Sequence, residues 1–156
     1  MTDKNYTDIT LLLDRSGSMS TLWTDTLGGL NTFVTEQKKL PGETKISLVA
    51  FDDQYEVVWD AVPVTELPVL TTKDVMPRGY TALLDAVGKR VLDTGTRLAS
   101  LLENERPYKV VFAVFTDGLE NSSKEFNAER VKDLIQEQID KYNWGFMYFG
   151  SNQDAW

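Results

Sequence analysis

Four short apolar runs constrain this chain more than any other feature: residues 9–13 (ITLLL), 46–51 (ISLVAF), 109–115 (KVVFAVF) and 144–149 (WGFMYF). Each is too short for a packed helix and lacks the polar alternation of a half-exposed strand, so each reads as a strand covered on both faces. Amphipathic stretches lie between them. Met19, Leu22, Trp23, Leu27, Leu30, Phe33, Val34 and Gln37 recur at spacings of three and four, which predicts a helix that Leu40-Pro41-Gly42 stops. Gly28 and Gly29 fall inside it and weaken it, unless they allow close packing on a sheet. Residues 82–102 repeat the pattern with Leu83, Leu84, Val87, Val91, Leu98, Leu101 and Leu102, with a break expected near Gly95; residues 127–142 do so with Val131, Leu134, Ile135 and Ile139.

Strands alternating with helices predict an α/β fold, doubly wound around a mostly parallel central sheet with helices on both faces. One departure is expected. Asp52-Asp53-Gln54 separates the second run from residues 55–59 (YEVVW), and so short a turn implies a hairpin that adds an antiparallel edge strand. Residues 61–79, with Pro63, Pro68 and Pro77, read as a loop with at most one short element. Trp23, Trp59 and Trp144 sit in apolar patterns and are expected in the core, and the mixed charges of residues 125–141 read as a solvated helix face. No repeat or linker interrupts the chain, so residues 1–156 form a single domain. Three long helices are few for two sheet faces, and the chain ends soon after the last apolar run. The expectation is a domain cut from a longer chain.

Composition excludes several functions. The formal net charge is −8 with no basic stripe, a surface that repels nucleic acid and anionic membranes. No apolar run approaches a membrane span, and the N-terminus has no signal-peptide pattern, so a cytoplasmic protein is expected. The chain has neither cysteine nor histidine. Disulfides, thiolate metal sites, histidine-based triads and the HExxH zinc helix are therefore ruled out. Any metal must be held by oxygen, which means a hard cation such as magnesium, manganese or calcium.

The candidate donors stand where strands end. Asp14 follows the first apolar run and Asp117 the third; Ser16 and Ser18 lie on the loop after Asp14, and Thr81 opens a helix after Arg78-Gly79-Tyr80. In open α/β sheets ligands bind beyond the carboxyl ends of the strands, so if these strands are neighbours the donors share one crevice. Two carboxylates there would raise each other's pKa, and a divalent cation offsets that repulsion.

DRSGS at 14–18 resembles the DxSxS motif of von Willebrand factor A and integrin I domains, Thr81 in RGYTALLDAV resembles the family's lone threonine, and Asp117 in VFTDG resembles its final aspartate. The likeness covers nearly the whole chain and matches all five positions of the metal-ion-dependent adhesion site in order. It implies that the serines and often the threonine touch Mg2+ (or Mn2+ or Ca2+), that the aspartates act largely through water, and that a partner's Asp or Glu carboxylate completes the coordination. It also implies a sheet order 3-2-1-4-5-6 with the third strand antiparallel, a sixth strand and final helix that this sequence does not display, and a binding module rather than an enzyme. Tyr80, Glu120 and Asn121, with Ser122 and Ser123, are candidate rim residues. Intracellular members of the family often work beside AAA+ ATPases or in other multi-protein assemblies.

Three other readings compete. Asp14, Ser16 and Ser18 form an ordinary polar turn with a helix N-cap in the first, and Thr81 alone is compatible with a helix cap. A calcium loop would place Asp14, Ser16, Ser18 and Asp25 at positions 1, 3, 5 and 12, but position 6 is Met19 where glycine is needed, and a strand precedes it. A Mg-dependent phosphohydrolase or phosphotransferase would use Asp14 as nucleophile. It lacks the second acid two residues on, where Ser16 stands, and there is no GxxxxGK loop.

Overall fold

In the computed structural model, which describes residues 3–116 and 123–149, the chain runs β1 (Asp3–Asp14), α1 (Trp23–Lys38), β2 (Glu43–Phe51), β3 (Tyr55–Pro63), α2 (Leu83–Ala99), β4 (Pro107–Phe115), α3 (Ala128–Tyr142) and β5 (Gly145–Phe149). The five strands form one sheet in the order β3-β2-β1-β4-β5. All neighbours are parallel except the β2–β3 hairpin. The expected α/β class, strand order and antiparallel edge are all present; no sixth strand occurs among the described residues.

The apolar runs are continuous because the sheet is covered on both sides. In β1, Ile9, Leu11 and Leu13 join Leu27, Leu30 and Val34 of α1 in one core cluster. Leu12, with Val49, Phe51, Phe112 and Val114, joins Leu83, Val87 and Val91 of α2 and Val131 and Leu134 of α3 in the other. Residue alternation along a strand sends successive side chains to opposite faces, so a strand buried twice is apolar at most positions, with Thr10 and Ser47 the small buried exceptions in β1 and β2.

The 61–79 region is more ordered than its prolines imply. β3 runs on to Pro63, a short 3-10 turn follows at Val64–Glu66, and Val64, Leu67, Leu70 and Val75 fill the α1-side core. The α1 side chains hold this segment by its backbone. Asn31 donates to Leu70 O at 2.9 Å and accepts from Leu70 N at 2.8 Å, and Trp23 Nε1 donates to Val75 O at 3.1 Å.

Several local expectations are corrected. A 3-10 stretch, Gly17–Leu22, precedes α1. Helix α2 runs unbroken through Gly95, beside which a methyl group would meet nothing within 4 Å. Gly28 and Gly29 do not pack on the sheet either; both are exposed, with open space where a side chain would stand. Trp23 and Trp144 are buried, whereas Trp59, on the edge strand β3, is only partly so. Ile139 lies at the exposed end of the α3 face. Asn127 caps α3, its side chain accepting from Arg130 N at 2.8 Å. The α1 face is the thinner one: Met147 and Phe149 of β5 stay exposed, with Phe149 stacked on Phe115.

Candidate metal centre

β1 and β4 are adjacent and parallel, with Leu13 opposite Phe115. Their carboxyl ends therefore emerge side by side, and Thr116 Oγ donates a 2.7 Å hydrogen bond to Asp14 Oδ2. The other carboxylate oxygen of Asp14 accepts from the Ser16 backbone N–H at 2.8 Å. Asp14 is 0% exposed. On the loop that follows, Ser16 Oγ and Ser18 Oγ hydrogen-bond each other at 3.1 Å, Ser16 buried and Ser18 exposed. Ser16, the N-cap of the 3-10 stretch, makes no side-chain capping hydrogen bond, and the N-cap of α2 is Ala82 and not Thr81.

Thr81 is brought in by its neighbours. It is 2% exposed and precedes Ala82, the N-cap of α2. Two backbone bonds tie the segment before it to the serine loop: Arg78 N–H donates to Arg15 O at 2.5 Å and Gly17 N–H to Gly79 O at 3.0 Å. A third, Ala82 N–H to Asp52 O at 2.8 Å, ties the segment after it to the β2–β3 turn. Gly79 is required here. Its φ is +65°, and a Cβ would lie 2.5 Å from Asp53 Oδ1 and 2.6 Å from Asp52 Oδ2.

The described candidates are oxygen donors of the kind a small hard cation takes. Ser16 Oγ and Ser18 Oγ are hydrogen-bonded to each other at 3.1 Å, a separation that adjacent corners of a magnesium octahedron, about 3.0 Å apart, would also require. Among the described residues no group of three or more His, Cys, Asp or Glu side chains is placed to hold a metal ion; the described candidates are one carboxylate, Asp14, and the hydroxyls of Ser16, Ser18 and Thr81. Asp117, Glu120, Asn121 and Ser122 lie outside the described residues. Of the two rim candidates that remain, Tyr80 is 68% exposed beside the Thr81 segment. Ser123 faces α2, where its Oγ accepts from Asp85 N–H at 2.9 Å; the Asp85 carboxylate in turn accepts from the backbone N–H groups of Lys124, Glu125 and Phe126.

Sequence reading missed Thr116, Asp52, Glu56, Arg15 and Arg78 as parts of this assembly. Thr116 had one usable signal, its position between a buried strand and Asp117. The two arginines had none, because their partners are on β3 and its turn. Hydrogen bonds to Asp52 and then Glu56 hold the Arg78 guanidinium above its ordinary pKa.

No protein-family model matches the chain, and no curated protein sequence does. Solved structures do. The vWF domain of the type V pili tip protein Mfa5 from Porphyromonas gingivalis is similar with a TM-score of 0.55 at 17% identity, over 75% of this chain and 39% of that one. The fold is von Willebrand factor A-like. A structure of three N-terminal domains of the same pili tip protein gives 0.50 at 18% identity, over 73% of this chain and 20% of that one. Manganese-loaded TRAP protein from Plasmodium vivax gives 0.63 at 18% identity, over 96% of this chain and 59% of that one. The chain thus spans less than two thirds of each of these structures, and at such identities the likeness is one of fold. No helix among the described residues is long and apolar enough to cross a membrane.

Proposed function

We propose that the chain is a metal-dependent protein-binding module: Asp14, Ser16, Ser18, Thr81 and Asp117 hold Mg2+, with Mn2+ or Ca2+ as substitutes, and a partner's Asp or Glu carboxylate completes the coordination. The observation that carries this reading is the pair of seryl oxygens 3.1 Å apart on the loop that follows the buried Asp14. The manganese-loaded state of the TRAP structure is consistent with a divalent cation in this fold.

The bound ion supplies a Lewis-acidic position for an outside carboxylate oxygen. The chain's own residues do the rest. Ser16 and Ser18 offer neutral oxygens, so the charge of the ion is not used up within the domain. Asp14 contributes a fixed negative charge, its two oxygens oriented by Ser16 N–H and Thr116 Oγ. Tyr80, Glu120 and Asn121 supply contacts around the ion that select the partner. Phosphoryl transfer fits less well, because a nucleophile must reach its substrate, whereas the Asp14 carboxylate is fully buried and bonded through both oxygens. In our reading the chain is not an enzyme. It serves as an intracellular adaptor or assembly subunit, with an AAA+ ATPase or another multi-protein assembly as partner.

Titration with Mn2+, followed by co-purification in Mg2+ or EDTA for wild type and Asp14→Ala, tests the proposal. Mn2+ binding and a partner lost in both EDTA and the variant are expected. Binding that is the same in all conditions sinks it.

A further inference from the structure

Glu56 belongs to β3, a strand that carries none of the proposed metal donors, yet it touches both loops that do. Its Oε2 accepts from Arg15 Nη1 at 3.3 Å, and its Oε1 accepts from Arg78 Nη2. Arg15 is the residue before Ser16, and Arg78 lies three before Thr81. The two guanidinium groups are anchored a second time. Arg15, 9% exposed, donates through Nε to Met76 O at 2.9 Å. Arg78 donates through Nε to Asp52 Oδ2 at 2.8 Å, while Asp52 Oδ1 accepts from Gln54 N–H at 2.7 Å.

We propose that Glu56, bridging Arg15 and Arg78, is a positioning residue that sets the serine loop and the threonine segment at the spacing a divalent cation requires. The inference rests on the metal site proposed above and adds to it the groups that hold its two halves in register. Two features separate this cluster from ordinary surface ion pairs, which contribute little. One carboxylate serves two guanidinium groups from two different loops, and planar forks fix direction as well as distance. Glu56 also offsets positive charge that Arg15 and Arg78 bring to these loops.

The test is Mn2+ affinity of the full chain, read by the paramagnetic resonance of free Mn2+, alongside the melting temperature in EDTA. Removing a group bonded directly to a metal ligand costs roughly 10–100-fold in affinity; Glu56 acts one residue further out, so Glu56→Gln is expected to weaken Mn2+ binding by up to about tenfold, with the EDTA melting temperature nearly unchanged. Arg78→Lys keeps the charge but loses the fork and is expected to weaken binding as well; it carries the test if Glu56→Gln fails to fold. Asp60→Asn removes an equal charge from the same strand, away from both loops, and is expected to bind as wild type. Wild-type affinity in Glu56→Gln overturns the proposal while the metal site stands. An equal loss in Asp60→Asn overturns it in favour of net charge alone. No Mn2+ binding by the wild type overturns both.

Discussion

Thr116 Oγ hydrogen-bonds Asp14 Oδ2 at 2.7 Å across 102 residues of sequence, joining the ends of the two central strands. A buried hydrogen bond to a charged group contributes about 1.5–3 kcal/mol. Thr116→Val keeps the shape and deletes the donor, so chemical denaturation in EDTA should show a loss in that range. With the Asp14 carboxylate no longer oriented by this bond, Mn2+ affinity at the proposed site, measured by calorimetry, should also fall.

Thr81→Val removes one hydroxyl from the proposed ligand set and leaves the apolar volume in place. A ligand that binds only the folded state stabilises it by about 2.7 kcal/mol at 100 times its Kd. Scanning calorimetry of the wild type should therefore show a melting temperature that rises with Mg2+ and returns to its starting value in EDTA. In Thr81→Val the rise should shrink markedly. A full Mg2+ response in this variant would remove Thr81 from the site.

Gly28 and Gly29 lie on the exposed side of α1 with open space around each missing Cβ. Glycine in a helix interior is less stable than alanine by about 0.5–1 kcal/mol. Gly28→Ala and Gly29→Ala should each raise the urea midpoint accordingly, without changing metal affinity. A loss of stability in either would mean that the residue is packed against something after all.

On the α2 side of β1, Asp8 is buried and accepts from Tyr6 OH at 2.9 Å and from Arg97 Nη2 at 2.9 and 3.0 Å. Burial first, then the Asp8 charge and hydrogen bond, push the Tyr6 phenol above its ordinary pKa of 10.0. The folded chain therefore holds this proton more tightly than the unfolded chain. That stabilisation is complete below pH 10 and is lost as pH rises beyond it. Wild-type stability should fall on the alkaline side, and Tyr6→Phe should flatten that part of the profile in a pH series of urea melts.

The strand interiors are legible in sequence because double-sided burial leaves runs that are almost wholly apolar, broken only by small residues such as Thr10 and Ser47. The first half of β1 is not. Residues 3–8 read DKNYTD, and Asp8 can be buried only because Arg97 arrives from 89 positions away. Gly95 looked like a helix break because propensity is local, whereas Val91 and Leu98 pack on either side of it in the same core cluster. The site divides the same way. Asp14, Ser16 and Ser18 are legible through their spacing, since one loop carries all three. Thr116 acquires its role from the β1–β4 register, and Glu56 from the hairpin that folds β3 back along β2. No window of sequence contains either relationship.

The β1–β4 pairing that brings Asp14 beside Thr116 also orders events in time. The β2–β3 hairpin closes locally, on the microsecond scale typical of hairpins. The central pair must instead close a loop spanning most of the chain, and such non-local contacts slow folding. The proposed donor set includes Asp117, which follows β4 in sequence, so it is complete only after that step. An ion bound at the proposed site would then stabilise the native state without lowering the barrier to reach it. In stopped-flow chevrons Mg2+ should leave the folding arm where it is and depress the unfolding arm, so loading the site lengthens the lifetime of the folded domain rather than hastening its birth.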